Sequence, residues 1–421
     1  MQQERGLEKK TTGDVLRMFL WNSGGLGFYL LCKWSLTIIV VRLSTGFDDA
    51  GYLALAMSIT NLLYCFAIYG VRSYQVSDIN NEHTINTYVT SRLITVIAAQ
   101  LCCILFCIFY YGLDKRSIIV ILYMILMSGE ALSDVFQGAA QKHWRMDIVG
   151  LSFLFRGILL ISAFVIFYLI SGLTTAVMIS SVLTLLVIYF YDIKQVRKIE
   201  AFRLEFNRER ILNLLKVCFP LMTMALLHIS FVSVARIAVE NTFGISNMGI
   251  FNSATLPAAI LYNATLFVFA PFVNILSLSF SQGDIKRFGR QILYVFGIII
   301  ALVLIAVLIS ETMGGYLLSL LFGQEIYNYS YLLTEALIVT GVASLLWFIG
   351  IVLTVMRKLT IIMIGFSTGF ICSLISMTWV LENYGMSGAN YMQFIGFGIS
   401  LLILLVAYCV YMRNIKKDFN A

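Results

Sequence analysis

The chain is built from apolar segments that are long enough to cross a membrane. A bilayer core about 30 Å thick is spanned by roughly 20 apolar residues in a helix that rises 1.5 Å per residue. Of the 421 residues, 60% are hydrophobic and 12% are charged, whereas roughly 25% are charged in an ordinary soluble domain. These values exclude a soluble enzyme and a disordered chain, and they predict an all-α polytopic membrane protein.

About twelve transmembrane helices are predicted. The fifth and sixth are separated only by Ser171 and Gly172, and the long eighth contains Pro257 and Pro271. The predicted spans lie at about 18–42, 51–71, 87–111, 117–138, 149–170, 173–191, 211–238, 248–279, 289–310, 331–356, 360–381 and 386–411.

The distribution of lysine and arginine predicts that both termini are cytoplasmic. Cytoplasmic loops of membrane proteins carry an excess of these residues. With the N-terminus inside, 23 of the 29 lysines and arginines fall in inside segments, and only Lys115 and Arg116 fall in outside loops. The net charge of +7 is therefore a topology signal, and no nucleic-acid partner is expected.

The longest inside connection divides the spans six and six. It covers residues 192–210 and reads as a charged linker, KQVRKIEAFRLEFNRER over most of its length. The predicted domains are therefore an N-terminal six-helix bundle (1–191), this cytoplasmic linker (192–210) and a C-terminal six-helix bundle (211–421). A V-x-R-[LI] pattern ends both the first and the seventh span and supports a repeat of the two halves, a common arrangement in transporters. Outer loops of at most about 20 residues leave no room for a soluble catalytic domain.

Four cations within the spans are the candidate substrate-binding residues. An ionisable side chain in hydrocarbon costs about 2.5–3.5 kcal/mol or more, so it usually faces a cavity or a partner. Lys33 lies deep in the first span, and Arg156 lies eight residues into the fifth. Arg42 and its repeat mate Arg236 end the first and seventh spans, where a long side chain can instead reach the membrane surface.

Acidic residues within the spans are fewer. A polar stripe runs along the fourth span at positions i, i+4, i+7 and i+11, and Glu335 lies near the start of the tenth span. One interpretation makes the acids Glu130, Asp134 and Glu335 an ion-coupling site for H⁺ or Na⁺. The alternative is a structural pair of Glu130 or Asp134 with Arg156 or Arg145. The stripe consists of Glu130, Asp134, Gln137 and Gln141.

The balance of these charges favours an anionic cargo. Four cations are embedded in the spans against two firm acids, so a cavity between them is expected to be positive, which suits a phosphate or a uronic acid. His228, the histidine of the seventh span, is open to a structural role or to a proton relay. No cofactor and no metal site is expected, because no nucleotide, triad or metal-ligand motif is present.

Two stretches resemble a known family. They are YGVRSYQVSDIN from residue 69 and VFQGAAQKHWRMDIVGLSFLFRG at 135–157. Together with twelve spans and short outer loops, they are similar to the Wzx-type polysaccharide repeat-unit flippases of the multidrug/oligosaccharidyl-lipid/polysaccharide (MOP) exporter superfamily. The resemblance implies a V-shaped transporter like the multidrug and toxin (MATE) exporters, with two bundles and alternating access.

The resemblance also implies a function. The expected activity is translocation of undecaprenyl-pyrophosphate-linked oligosaccharide repeat units across the bacterial plasma (inner) membrane, for O-antigen or capsule biosynthesis. The lipid-linked oligosaccharide and membrane lipids are the expected partners, with a polysaccharide polymerase and a chain-length regulator as candidate partners. Besides Arg156, the residues at motif positions form a candidate cytoplasmic gate: Arg72, Gln137, Gln141, Arg145 and Asp147.

Two other functions remain open at this stage. A multidrug cation antiporter on the same fold would need exposed acids in its cavity. A membrane polysaccharide polymerase would need a sizeable outer loop with acidic or basic catalytic residues. Of the three candidate functions, the flippase fits the embedded charges and the short outer loops best.

Overall fold

The structure is a computed structural model that describes residues 12–78 and 81–420. Within these residues the chain is almost entirely helical, which confirms the all-α prediction. Eleven of its helical segments are long and apolar enough to cross a membrane by length and composition. The protein is therefore a multi-pass membrane protein.

The chain divides into two compact units. The first consists of the residues up to Leu43 together with Leu55–Leu226, and the second of Ser44–Ala54 and the residues from Leu227 onward. The division at residues 192–210 that the sequence suggests stays a prediction.

The helices of the N-terminal half run from the start of the described chain to Ile199. They are α1 (Thr12–Leu43), α2 (Asp48–Ile68), α3 (Val71–Ser77), α4 (Ile85–Tyr110), α5 (Lys115–Lys142), α6 (Met146–Ser171), α7 (Leu173–Val187), a π-helical turn (Ile188–Asp192) and α8 (Ile193–Ile199). The C-terminal half contains α9 (Arg208–Phe243), α10 (Ile245–Thr255), α11 (Ala258–Ser281), α12 (Ile285–Phe322), a 3₁₀ turn (Gln324–Tyr329), α13 (Ser330–Val355), α14 (Leu359–Tyr384) and α15 (Ser387–Asn420).

Glycines allow α1 and α6 of the first unit to pack closely. A Cβ atom at Gly150 would lie on the backbone carbonyl of Trp21, and one at Gly25 would lie on the backbone of Gly150. Small residues at such contacts are typical of membrane helices, whose association depends on close van der Waals packing. The same unit also packs α6 on α7 and α5 on both α4 and α7.

The sixth predicted span is longer than the sequence pattern indicated. It begins after Gly172, whose φ of +79° is a left-handed conformation that favours glycine. It then continues through the π-helical turn into α8 and ends at Ile199, so that only residues 200–207 of the predicted linker are non-helical. Val196 packs in the core of this unit with Phe136 and Val71, which explains why the helix continues.

The eighth predicted span, 248–279, is not one continuous helix. The structure corrects it to α10, which ends at Thr255, and α11, which begins at Ala258. Pro257 lies immediately before α11. Proline is well suited to the start of a helix, where its missing backbone N–H costs no intrahelical hydrogen bond.

In the second unit α13 is the central helix. It packs against α11, α12 and α15, while α14 packs mainly against α15. In the most apolar stretch of the segment that contains α13, 67% of the residues are buried. In the corresponding stretch of α12, 17% are buried. The exposed leucine and isoleucine side chains of α12 are consistent with a surface that faces lipid.

The contact between α1 and α6 yields a stability prediction. Gly150→Ala is expected to lower the free energy of unfolding by about 1–3 kcal/mol, because the added methyl group must push two helix backbones apart. The measurement is the thermal unfolding of the purified protein in detergent. Gly27→Ala is the control, because a Cβ there meets nothing within 4 Å. Equal unfolding temperatures for the two variants would contradict the close contact.

Candidate functional site

Lys33 and Glu130 form an ion pair inside the first unit. The Lys33 Nζ lies 2.9 Å from Glu130 Oε1, and the two side chains are 18% and 12% exposed. Tyr29, one turn before Lys33 on α1, donates its hydroxyl to the same Glu130 oxygen at 2.6 Å. The structure thus brings together one predicted substrate-binding cation and one predicted coupling acid, and each neutralises the other.

Asp134 lies between two arginines. Its Oδ1 accepts a hydrogen bond from Arg72 Nη1 at 3.2 Å, and its Oδ2 accepts one from Arg92 Nη2 at 2.7 Å. The Arg92 guanidinium is fully buried and also donates to the backbone carbonyl of Ala67 at 3.0 Å. Because the two arginines lie on α3 and α4 and Asp134 on α5, this carboxylate ties three helices together.

These contacts correct the partners that were expected for the acidic stripe. The alternative in which Glu130 or Asp134 pairs with Arg156 or Arg145 is wrong, since the partners are Lys33, Arg72 and Arg92. Arg92 was not among the four candidate cations of the spans, whereas it is buried within α4. The available signal was the run of small hydroxyl residues around it, TYVTSRLIT, which is typical of helix contacts in membranes.

Part of the predicted gate is assembled around Arg72. Arg72 Nη1 donates to Gln137 Oε1 and Arg72 Nη2 donates to Gln141 Oε1, both at 2.9 Å. A Cβ at Gly138 would collide with the Gln75 side chain and lie 3.2 Å from Arg72 Cγ, so glycine leaves room for the arginine. The two sequence stretches that carry the family resemblance therefore contact each other here.

Arg145 and Asp147 lie apart from this cluster. They pair with each other at 2.8 Å, with side chains 51% and 41% exposed. The hydrogen bonds that the Arg145 guanidinium donates to the Asp147 carboxylate raise the pKa of Arg145 above its ordinary value. The predicted gate residues thus form two separate groups, one partly buried and one exposed.

Arg156 is buried against aromatic rings. It is 1% exposed, and its guanidinium carbon lies 4.8 Å from the ring centre of Phe153 and 5.3 Å from that of Tyr29. Such cation–π contacts contribute about 0.5–2 kcal/mol. Arg156 forms no ion pair with any residue that the structure describes, and its Nη2 is buried without a hydrogen-bond partner there.

Asp192 is a buried acid that sequence reasoning missed. It was assigned to the start of the linker, but it ends the π-helical turn and is 2% exposed. Ser133 of α5 donates its hydroxyl to Asp192 Oδ2 at 2.5 Å. The only signal in the sequence was the apolar pattern that continues past it, with Ile193 and Val196 on the following turn.

In the second unit, Arg236 lines a cavity. The cavity holds about 700 Å³ of empty space, part of it open to the outside. Arg236 is half-buried and makes no hydrogen bond or ion pair with the residues that the structure describes. Arg42, its predicted repeat mate, is exposed in the last turn of α1, where a cation complements the negative end of a helix.

Glu335, the third predicted coupling acid, lies beside the same cavity. Its Oε2 accepts a hydrogen bond from Asn390 Nδ2 at 3.0 Å, and its Oε1 accepts one from the Tyr391 hydroxyl at 3.1 Å. Asn390 lines the cavity. Glu335 therefore orients a lining residue in this structure.

The loop after α3 carries a structural acid outside the spans. Burial alone would raise the pKa of the Asp78 carboxyl, but three hydrogen bonds hold it below its ordinary value. They come from the Glu82 N–H at 2.9 Å, the His83 N–H at 3.2 Å and the Tyr88 hydroxyl at 2.8 Å. The carboxylate fixes the turn that leads into α4.

Solved structures of similar fold are transporters. The chain matches the inward-facing conformation of a multidrug resistance MATE family transporter of the MOP superfamily with a TM-score of 0.73 and 14% identity, over 92% of this chain and 96% of that one. It matches the eukaryotic MATE transporter AtDTX14 with a TM-score of 0.65 and 11% identity, over 96% and 97% of the two chains. It also matches a MOP superfamily transporter from Pyrococcus furiosus, described as having reversed binding-pocket polarity, with a TM-score of 0.57, 13% identity and coverage of 97% and 99%.

One curated relative comes from Staphylococcus aureus. This capsular polysaccharide biosynthesis protein, CapF, is 26% identical over 303 residues, which cover 70% of this chain and 74% of the relative. No protein-family model matches the chain. At these identities the solved structures establish the fold, so the chain is a multi-pass membrane protein with the MATE/MOP transporter fold.

Asp134 is expected to be essential for stability. Asp134→Asn should lower the free energy of unfolding by about 3–5 kcal/mol, because it leaves two guanidinium groups without their carboxylate. Chemical unfolding of the purified protein in detergent measures this. The matched control is Asp147→Asn, which breaks an exposed pair worth about 0–1 kcal/mol. Equal losses in the two variants would show that Asp134 does not hold the helices together.

The Asp78 turn should give a pH-dependent contribution. A carboxyl whose pKa is lowered on folding stabilises the folded state above the pKa of the unfolded chain, about 3.9, and the stabilisation is lost as the pH falls through the folded value. Asp78→Asn should therefore unfold at a lower temperature than the wild type at pH 7. The difference should shrink below about pH 4. A difference that is constant from pH 7 to pH 3 would contradict this assignment.

Proposed function

We propose that this transporter is a flippase for lipid pyrophosphate-linked oligosaccharides that serve surface polysaccharide biosynthesis in a bacterial plasma membrane. The cargo would be an undecaprenyl-pyrophosphate-linked repeat unit. The likeness to the capsular polysaccharide biosynthesis protein CapF supports this class of cargo. The transporter fold supports translocation as the activity.

The observation that carries the proposal is the distribution of compensated and uncompensated charge. Glu130 and Asp134, the two acids of the stripe, are already neutralised by Lys33 and by Arg72 and Arg92. Two arginines of the spans, Arg156 in the first unit and Arg236 in the second, have no carboxylate within ion-pair distance among the described residues. Uncompensated guanidinium groups suit phosphate and carboxylate ligands, which they bind in a bidentate manner.

A cationic drug fits this charge distribution poorly. It would need accessible carboxylates, and the two carboxylates of the stripe, Glu130 and Asp134, already form ion pairs with cationic side chains of the protein. A polymerase would need an acid–base pair next to the sugar, whereas Glu130 is bonded to Tyr29 and Lys33. The anionic lipid-linked glycan is therefore the favoured cargo.

Within this proposal the ion pairs have different roles. Lys33 and Glu130 form a single, partly accessible ion pair. An incoming phosphate can therefore replace Glu130 as the partner of Lys33, and Glu130 is then free to bind H⁺ or Na⁺. Asp134 is clamped by two arginines, which favours a structural role over coupling. The Arg72, Gln137 and Gln141 cluster is the proposed gate. Alternating access of the cargo between the two membrane faces completes the proposed mechanism.

A flipping assay tests the cargo and its two arginines. Protein in proteoliposomes should move a lipid pyrophosphate-linked oligosaccharide between leaflets, as measured by its accessibility to a membrane-impermeant glycosidase. Arg156→Gln and Arg236→Gln should each slow this movement about tenfold or more, because a hydrogen bond to a charged group is worth about 1.5–3 kcal/mol. Arg290→Gln, at an exposed position in the second turn of α12, is the matched control.

The outcomes separate the alternatives. Wild-type rates in both arginine variants would overturn the anionic-site assignment. Elongation of the glycan without movement would favour a polymerase. A wild-type rate that rises with an imposed pH gradient, together with a Glu130→Gln variant that ignores the gradient, would support coupling at Glu130. Indifference of the wild type to the gradient would assign Glu130 to structure.

A further inference from the structure

The cavity of the second unit has a composition that the proposed transport does not by itself require. Its lining combines aromatic rings, primary amides and hydroxyl groups with one guanidinium. Small-molecule sites are typically concave, mostly apolar and supplied with a few polar groups that fix orientation. All of the lining residues lie within the second unit.

One wall of the cavity is aromatic. The His228 ring stacks on that of Tyr262, with centroids 5.7 Å apart, and the Tyr262 hydroxyl lies 3.2 Å from His228 Nε2. His228 also contacts Trp347 at 4.8 Å and Phe397 at 6.2 Å between ring centroids. These mutual contacts hold the rings of His228, Tyr262 and Phe397 in place as a largely apolar wall, with Trp347 behind His228. Such a surface suits the apolar face of a pyranose ring.

Another part of the lining presents amide carbonyl oxygens. Asn390 uses its Nδ2 to donate to Glu335 Oε2 at 3.0 Å and to the Leu332 carbonyl at 3.3 Å. Gln393 uses its Nε2 to donate to the Ala389 carbonyl at 3.2 Å. The amide nitrogens are thus engaged by the protein. The carbonyl oxygens of both side chains remain as acceptors, which is what a sugar hydroxyl requires.

The charge in this lining is positive. Arg236 lines the same cavity, is half-buried, and has neither an ion pair nor a hydrogen bond among the residues that the structure describes. A charge removed from water without a partner is unfavourable, so an anionic ligand that pairs with this guanidinium gains the free energy of that pairing. A lipophilic cation would be repelled at this position.

We propose that this cavity binds one pyranose ring that carries an anionic group, either a carboxylate on the sugar or a phosphate at its linkage. The inference rests on the proposed function, because this ring would be the acidic unit of the transported glycan. In this arrangement Arg236 holds the anionic group, Asn390 and Gln393 accept hydrogen bonds from ring hydroxyls, and the surface of Tyr262 and His228 packs against the ring face. Glu335 is a positioning residue that acts through Asn390.

Equilibrium binding of soluble probes to the purified full chain tests the site without requiring transport. The probes are N-acetylglucosamine 1-phosphate, galacturonate, neutral N-acetylglucosamine, inorganic phosphate and tetraphenylphosphonium. Saturation-transfer difference NMR detects weak binding and reports which ligand protons contact the protein. The expected result is binding of one or both acidic sugars, with the strongest transfer to ring protons, and binding of the neutral sugar about tenfold weaker or less. A tenfold difference corresponds to about 1.4 kcal/mol.

Substitutions connect the binding to this cavity. Arg236→Gln should weaken the binding of the acidic sugars about tenfold and leave that of the neutral sugar unchanged, since one charge-assisted contact is lost. Gln393→Ala should weaken the binding of both kinds of sugar. The matched control, Arg290→Gln, should change neither. Unfolding temperatures of all variants establish that each compared protein is folded, and Gln393→Ala keeps the test usable if Arg236→Gln does not fold.

The probes also distinguish the sources of the anionic group. Binding of galacturonate alone would assign a sugar carboxylate, and binding of the sugar phosphate alone would assign the linkage. Unchanged binding of both acidic sugars by Arg236→Gln would overturn the inference. So would tighter binding of tetraphenylphosphonium, or binding of inorganic phosphate as tight as that of the sugar phosphate. Flipping without sugar binding would contradict this inference alone, whereas sugar binding without flipping would contradict the proposed function alone.

Discussion

The structure of the first unit depends on the double ion pair at Asp134. A carboxylate that is largely removed from water is tolerated only where opposite charge and hydrogen bonds compensate it. Arg72 and Arg92 supply both, and they do so from two different helices. The geometry of α3, α4 and α5 is thereby coupled, and Gly138 leaves room for the side chains of Gln75 and Arg72 beside Gln137 and Gln141.

Against this fixed centre, the other embedded charges differ in how fully they are compensated. Glu130 is paired with one cation and also accepts a hydrogen bond from a tyrosine hydroxyl, whereas Asp134 is paired with two cations. Arg156 packs against aromatic faces and interacts electrostatically with Asp192 without forming an ion pair, and Arg236 lines a cavity. Asp134, which is fully paired, stabilises the fold, whereas Arg236, which has no ion-pair partner among the described residues, remains available for a ligand.

The sequence predicted the class of fold because the apolar run length follows directly from the thickness of a bilayer. The stripe on α5 was also recognisable, because helical periodicity alone places Glu130 and Asp134 on one face. Their partners were not predictable, since Lys33, Arg72 and Arg92 come from distant segments and only tertiary packing selects them. Asp192 was missed for a related reason: a charge at the end of an apolar run is interpreted as the start of a loop, and only the folded structure shows it buried and bonded to Ser133.

The polarity of the charge distribution distinguishes the two kinds of cargo that this fold can accommodate. A site for cationic drugs requires carboxylates that are free to meet the ligand, with any nearby arginine held elsewhere. In this protein the situation is the opposite. Glu130 and Asp134 form ion pairs with cations of the protein, whereas Arg156 and Arg236 form no ion pair with a described carboxylate. An anionic cargo supplies the counter-charge that these two arginines lack. Under the proposed function, the cargo gains most binding free energy where the protein's own charges lack a partner, and this is a physical basis for its selection.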